Sequence, residues 1–299
     1  MDKIKNRLYP VASLIFILII WEVLVDILQV NTVILPSPIC IVKKIAIQYN
    51  SIISNSMNTL YGAVAGFLIG FVVAAILATL FQFSNFFKKT LLPLAVATRG
   101  IPPIAIAPII VLWFGIDIFS KVTLTAFTSF FPILINFMKG LNSVPDEVLD
   151  LMKTFSATQW QVFYKVRLKY ALPDLFAGLK IASSFAVVGA IISEYVGVTK
   201  GIGYIIKSST YYSETDLTFA GIIAASLIGI LLYWVIELIE KKIIFWHEMC
   251  LFNFLYSFHP NFFSTPEEPS KLFSQIYCVF LSDFNQVVLC RQNPSESAM

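Results

Sequence analysis

Six apolar stretches recur along this chain, at residues 9–30, 59–81, 91–114, 121–137, 175–196 and 217–239. Each approaches the about 20 residues needed to cross a bilayer as helix. Lipid offers no partner for backbone N–H and C=O, so such stretches have to close their hydrogen bonds internally, as helices. Composition agrees: 58% of residues are hydrophobic and 13% charged, with mean hydropathy +0.79. A soluble domain carries about 25% charged residues. The polar surface is too small for a soluble globule of 299 residues. The expected fold is an all-α integral membrane protein of about six transmembrane helices, with a charged helix–turn–helix at 139–174 between the fourth and fifth.

Charge placement sets the expected orientation. Lys3, Lys5 and Arg7 precede the first stretch, and no small-residue cleavage site follows it, so it reads as a retained helix with its N-terminus inside. Glu22 and Asp26 fall towards its far end. Lys88 and Lys89, the basic residues of 139–174, and Lys241 and Lys242 fall on the same inner side. Lys43, Lys44, Lys121, Lys200 and Lys207 fall outside. Six crossings with this asymmetry put both termini in the cytoplasm. On the outer side, Leu35-Pro36-Ser37-Pro38 forbids regular helix, and 39–49 is a short amphipathic interfacial helix.

Within the spans, Gly62, Gly66 and Gly70 make a smooth stripe on one helix face, open to close approach of another backbone. A role in motion and a role in static packing are equally open for it. Pro102 and Pro103 remove two donors and break the third stretch; Pro132 kinks the fourth, and Pro173 precedes the fifth. Backbone freed in this way has to face protein or a watery cavity.

The charged segment carries two helix starts. Ser143-Val144-Pro145-Asp146 offers a hydroxyl cap, a proline in the first turn and an acid three residues on. Val148, Leu151, Met152 and Phe155 then recur at helical spacing. Thr158 and Gln161 form a second capping box, followed by Trp160, Phe163 and Tyr164 as an aromatic face. The alternative is an ordinary solvated loop, but such a loop has no need of three clustered aromatics, which commonly anchor interfaces.

This segment resembles the EAA loop of ABC importer permeases. Asp150-Leu151-Met152 falls on the E-A-A triplet, Ser156 on the turn glycine, and Val166-Arg167-Leu168-Lys169 on I-x-L-P. Further matches lie in the family's order: L-P-S-P from Leu35, R-x-I-P-P-I-A-I-A-P from Arg99, LWFGI from Leu112, FFPI from Phe130, ALPDLFAGLK from Ala171 and GIGY from Gly201. Together they resemble the branch that handles sulfonates, taurine, nitrate and heterocyclic vitamin precursors. Asp150, Ser156 and Lys169 depart from the pattern's Glu, Gly and Pro.

The resemblance implies an inner-membrane permease domain over 1–248, with 139–174 as its cytoplasmic coupling loop. Asp150, Leu151, Met152, Ser156, Ala157, Trp160 and Phe163 are the implied contacts to a cytoplasmic ATP-binding subunit. An extracytoplasmic solute-binding protein, a second permease chain forming a homodimer, and membrane lipid complete the implied partners. Pathway candidates are Arg99, Thr125, Ser129, Ser183, Ser184 and Glu194. The chain has no G-x-x-x-x-G-K-[ST] phosphate loop, so as a pump subunit it would draw its energy from a separate ATPase. A secondary transporter needing no ATPase and a degenerate permease stay open as alternatives. A membrane enzyme ranks last, for want of a nucleophile–base set near any span.

Cys40, Cys250, Cys278 and Cys290 show no C-x-x-C or metal-type spacing, and His247 and His259 follow the last span. No catalytic residue, metal or cofactor is expected, and a net charge of +3 gives no reason to expect nucleic acid. Residues 249–299, with four prolines and no periodicity, read as a cytoplasmic tail of unknown role.

Overall fold

The computed structural model describes residues 2–98 and 100–244, with side chains for all of these except 2–8, 10, 11, 85, 95 and 98. Arg99, His247, His259, Cys250, Cys278, Cys290 and the 249–299 tail lie outside the described residues. Everything regular in the described residues is helical: α1 (Asp2–Ile27), α2 (Pro38–Ile47), α3 (Tyr49–Phe83), α4 (Asn85–Thr98), α5 (Pro103–Phe114), α6 (Ile118–Leu141), α7 (Asp146–Thr154), α8 (Gln159–Val162), α9 (Leu168–Val196), α10 (Ile202–Tyr211) and α11 (Thr215–Ile243). One π turn, Phe163–Arg167, joins α8 to α9.

The expected count of six spans is corrected here. Among the described residues four helices are long and apolar enough to cross a membrane: Tyr49–Phe83, Ile118–Leu141, the run Gln159–Val196, and Thr215–Ile243. The third expected stretch, 91–114, is not one helix. Pro102 is extended (φ −62°, ψ 127°) and Pro103 opens a new helix, which leaves α4 and α5 at 14 and 12 residues, each short of a span. The first stretch forms part of α1 but is not among the four. The side chains of residues 2–8, 10 and 11 in this helix lie outside those described. Four apolar helices still make a multi-pass membrane protein. Between the fifth and sixth expected stretches, where Lys200 and Lys207 lie, the chain forms α10.

The described residues fall into two compact units, one of residues up to Phe137 with Phe176–Glu237, the other of Met138–Leu175 with residues from Leu238 onward. In the first unit α6 packs between α3 and α9. Gly62, Gly66 and Gly70 lay α3 on α6 so closely that side chains are excluded. A Cβ on Gly70 would stand 2.5 Å from Ser129 Oγ, and one on Gly66 would stand 2.7 Å from the Val122 carbonyl. On the other side of α6, a Cβ on Gly178 would meet the Pro132 carbonyl at 2.9 Å, and Gly189 approaches Thr125 and Thr128. Small residues bring membrane helices together because dispersion, not water exclusion, has to hold them. Ile41, Ile52, Val187, Ile202, Leu217 and Ala220 then gather α2, α3, α9, α10 and α11 around one apolar cluster. Leu68, Ile69, Val72 and Ile76 of α3, and Leu227, Ile230 and Trp234 of α11, stay exposed, as suits lipid-facing surface.

The second unit has its own small core. Val144, Met152 and Val166 are buried, with Val148, Leu149, Ala157, Val162 and Tyr170 packed on them. Ala171 closes on Gly140, where a Cβ would stand 2.8 Å from Ala171 Cα.

Candidate functional site

The charged segment is built as two short helices around a strained corner. Ser143 is not the cap of α7: its hydroxyl donates to the Gly140 carbonyl at 2.8 Å, and the cap position belongs to extended Pro145. The proline sets the backbone there, so no hydroxyl is needed. At the start of α8 the expected capping box is present. Thr158 Oγ1 accepts from Gln161 N–H at 3.3 Å, and Gln161 Oε1 accepts from Thr158 N–H at 2.8 Å. Between the helices Ser156 sits at φ +50°, the left-handed region that favours glycine. Its N–H donates to the Lys153 carbonyl at 2.8 Å, and Ala157 N–H donates to that of Met152 at 3.0 Å.

The candidate contact residues divide by burial. Met152 and Phe163 turn inward, while Leu151 and Ala157 are half-buried. Asp150 is exposed and pairs with Lys153 at 2.8 Å, which holds the Lys153 ammonium above the usual lysine range. The expected aromatic face splits: Trp160 is 64% and Tyr164 69% exposed, whereas Phe163 is 6% exposed and meets the Trp160 ring edge-on at 5.8 Å. Phe155, expected on the apolar face of α7, is exposed instead, because the helix ends one residue before it. The π turn inserts an extra residue per turn and re-aims these side chains; such bulges concentrate at functional sites. Arg167, within it, donates to the Leu141 carbonyl at 2.9 Å, closing an open end of α6.

Among the pathway candidates, Thr125, Ser129, Ser183 and Glu194 are buried. Ser129 and Ser183 donate to carbonyls of their own helices, Thr125 and Lys180 respectively. Thr125 Oγ1 has no hydrogen-bond partner. Ser184 is exposed and lines an apolar groove of about 470 Å³ with Val187, Val188, Ile222 and Ile230. Pro102, Pro103, Pro132 and Pro173 lie at a helix break, at a helix start and inside α6 and α9; the Pro132 carbonyl takes a 2.7 Å bond from Asn136 Nδ2.

Glu194 belongs to a buried polar cluster that sequence reading did not assemble. Lys121 Nζ lies 2.7 Å from its Oε1, with side chains 3% and 0% exposed. Lys121 also donates to the Asn58 carbonyl at 3.3 Å. Thr59 Oγ1 is 2.9 Å from both carboxylate oxygens. The turn before α10 then donates three successive N–H groups: Gly201 to Asn55 Oδ1 at 2.7 Å, Ile202 to Thr59 Oγ1 at 2.8 Å, and Gly203 to Glu194 Oε2 at 2.8 Å. Gly201 has φ +119°, and a Cβ there would strike the Glu194 carboxylate. Lys121, the first residue of the fourth expected stretch and counted on the outer side from sequence, is a buried ion-pair partner. The one signal for it was a lysine and a glutamate, each within a turn or so of a span's end. Asn55, Thr59 and the two glycines gave no signal of a shared site.

A second charged contact ties α2 to the first turn of α11 and the residue before it. Lys44 meets Glu214 at 3.0 Å and Asp216 at 3.4 Å. The Glu214 hydrogen bond is the main reason its ammonium is held above the usual lysine range. Among the described residues no group of three or more His, Cys, Asp or Glu is placed to hold a metal.

Known proteins are similar to this chain over most of its length. Residues 66–245 match a family described as "Binding-protein-dependent transport system inner membrane component". A probable ABC transporter permease protein of Haemophilus influenzae is 33% identical over 79% of this chain and 97% of its own. A formylaminopyrimidine transport permease of Halalkalibacterium halodurans is 33% identical over 83% and 99%. A putative aliphatic sulfonates transport permease of Bacillus subtilis is 31% identical over 81% and 87%. With the family match spanning more than half the chain, this multi-pass membrane protein belongs to the inner-membrane permease family of binding-protein-dependent ABC importers, as a transport subunit.

Proposed function

We propose that this permease carries a small nutrient of the sulfonate, taurine or heterocyclic vitamin-precursor class into the cell, driven by a separate cytoplasmic ATPase that grips residues 139–174. The relatives named for formylaminopyrimidine and aliphatic sulfonates support the solute class. The carrying observation for the grip is the exposure of Trp160, Tyr164 and Phe155 on a segment with its own packed core. Exposed aromatics on a rigid base suit a desolvating anchor, since little is lost in ordering them. The absence of a phosphate loop in the sequence supports an outside source of energy.

In this reading the basic residues on the N-terminal side and in 139–174 mark the cytoplasmic face of the inner membrane. An extracytoplasmic solute-binding protein presents the solute on the opposite face, and two copies of the chain frame the pathway. Gly62, Gly66 and Gly70 serve packing, and Pro132 and Pro173 are the bending points. Thr125, Ser129, Ser183, Ser184 and Glu194 remain candidates for lining or shaping the pathway. The test is co-purification with a co-expressed candidate ATP-binding subunit, one that the unaltered chain retains, using Asp150→Ala and Trp160→Ala. Loss of the complex with unchanged melting of the permease supports the reading; an undiminished complex contradicts it.

A further inference from the structure

Helix α10 has no local cap. Its N-cap is Gly201, which has no side chain, and the first N–H groups of a helix need acceptors. They find them on other helices: Asn55 and Thr59 of α3, and Glu194 of α9. The carboxylate also faces the positive end of the α10 dipole, while Lys121 of α6 balances its charge. A carboxylate and an ammonium taken this far out of water are costly unless partnered; here Lys121, Thr59 and the Gly203 N–H meet the carboxylate, and Glu194 and the Asn58 carbonyl meet the ammonium.

We propose that Glu194 is a positioning residue that caps α10 from a distance, so that α10 moves as one body with α3, α6 and α9. Glu194 lies in the last turn of α9, the helix that begins just after the 139–174 segment. On the transport reading above, a push delivered where α9 begins reaches α10 through this carboxylate, and α10 is a moving part of the outer face. Hydrogen-bond acceptance is the essential property; the Lys121 charge is needed to keep a carboxylate there, not to hold α10.

This separates capping from simple ion pairing. The variant pair Lys121→Met with Glu194→Gln keeps an acceptor and removes both charges. The charge exchange Lys121→Glu with Glu194→Lys keeps a pair and removes the acceptor at 194. Amide hydrogen exchange of the full chain, purified in lipid nanodiscs, reads the result at residues 201–205. The expected outcome is exchange within about threefold of the unaltered chain for the neutral pair, and at least tenfold faster for the charge exchange and for Lys121→Met with Glu194→Ala, which removes the acceptor without stranding the lysine charge, with α3 and α6 unchanged. Protection retained in the charge exchange but lost in the neutral pair overturns the proposal, as does equal exchange at 201–205 in Lys121→Met with Glu194→Ala and in the neutral pair. Faster exchange throughout the chain in Lys121→Met with Glu194→Ala, relative to the neutral pair, also overturns it, by making the residue a general stabiliser. ATPase co-purification is measured on the same samples. Its failure in the unaltered chain counts against the transport reading, while the exchange pattern at α10 decides the cap.

Discussion

Lys121 and Glu194, 73 residues apart, meet at 2.7 Å with almost no solvent contact on either side chain. A buried pair of this kind is dear to break singly and cheap to replace as a whole, because a lone charge is left without water or partner. Lys121→Met alone is expected to destabilise the chain by about 3–5 kcal/mol. Adding Glu194→Gln is expected to restore most of that loss. Reversible denaturation in detergent micelles checks both; equal destabilisation by the single and the double variant would contradict the account.

The glycine stripe makes a paired prediction. Gly66→Ala drives a Cβ towards the Val122 carbonyl, 2.7 Å away, and against Thr125. A loss of about 1–3 kcal/mol is expected from such overpacking. Gly229→Ala, on α11, meets nothing within 4 Å. It is expected to be neutral, or to gain up to about 1 kcal/mol from helix propensity. Thermal melting of the two variants side by side reads the difference.

Ser156 holds a left-handed backbone at φ +50° in the corner between α7 and α8. A left-handed residue other than glycine carries about 1–2 kcal/mol of strain, part of which glycine's extra freedom in the unfolded chain would offset. Ser156→Gly is expected to stabilise the segment by roughly 0.5–1 kcal/mol. A lowered midpoint of unfolding would show that the serine side chain contributes something its contacts do not reveal.

Lys44 gives a pH dependence of known sign. Its folded value lies above the ordinary one, chiefly through the hydrogen bond to Glu214. The contribution is therefore complete below the unfolded lysine value and fades as pH rises through the higher folded one. The contact of α2 with Glu214 and Asp216 is expected to loosen only above about pH 10.5, and Lys44→Met is expected to flatten that loss. Tryptophan fluorescence during alkaline titration follows it, and an equal transition in Lys44→Met would assign the change elsewhere.

What the sequence made legible follows from how local each signal was. The capping box of Thr158 and Gln161, the break at Pro102-Pro103 and the apolar runs of α3, α6, α9 and α11 are written within a few residues, and each stands in the structure. Hydropathy alone made 91–114 look like one span, since it counts apolar residues and ignores the donors that two prolines remove. The trans cap of α10 was not readable, because its acceptors stand 146, 143 and 9 residues from the groups they serve. Spacing puts Phe155 on the apolar face of α7 and groups Trp160, Phe163 and Tyr164 as an aromatic face, but which of them faces outward depends on where α7 ends and on the π turn, and no composition rule gives either.

The account rests most heavily on residues 139–174 facing the cytoplasm and being held there by a separate ATPase. A cysteine introduced by Trp160→Cys, in a chain whose four native cysteines are replaced by serine, tests this with a membrane-impermeant maleimide. The account predicts labelling in inverted membrane vesicles, suppressed when the ATPase subunit is present, and none from outside intact cells. Labelling from outside intact cells would contradict it.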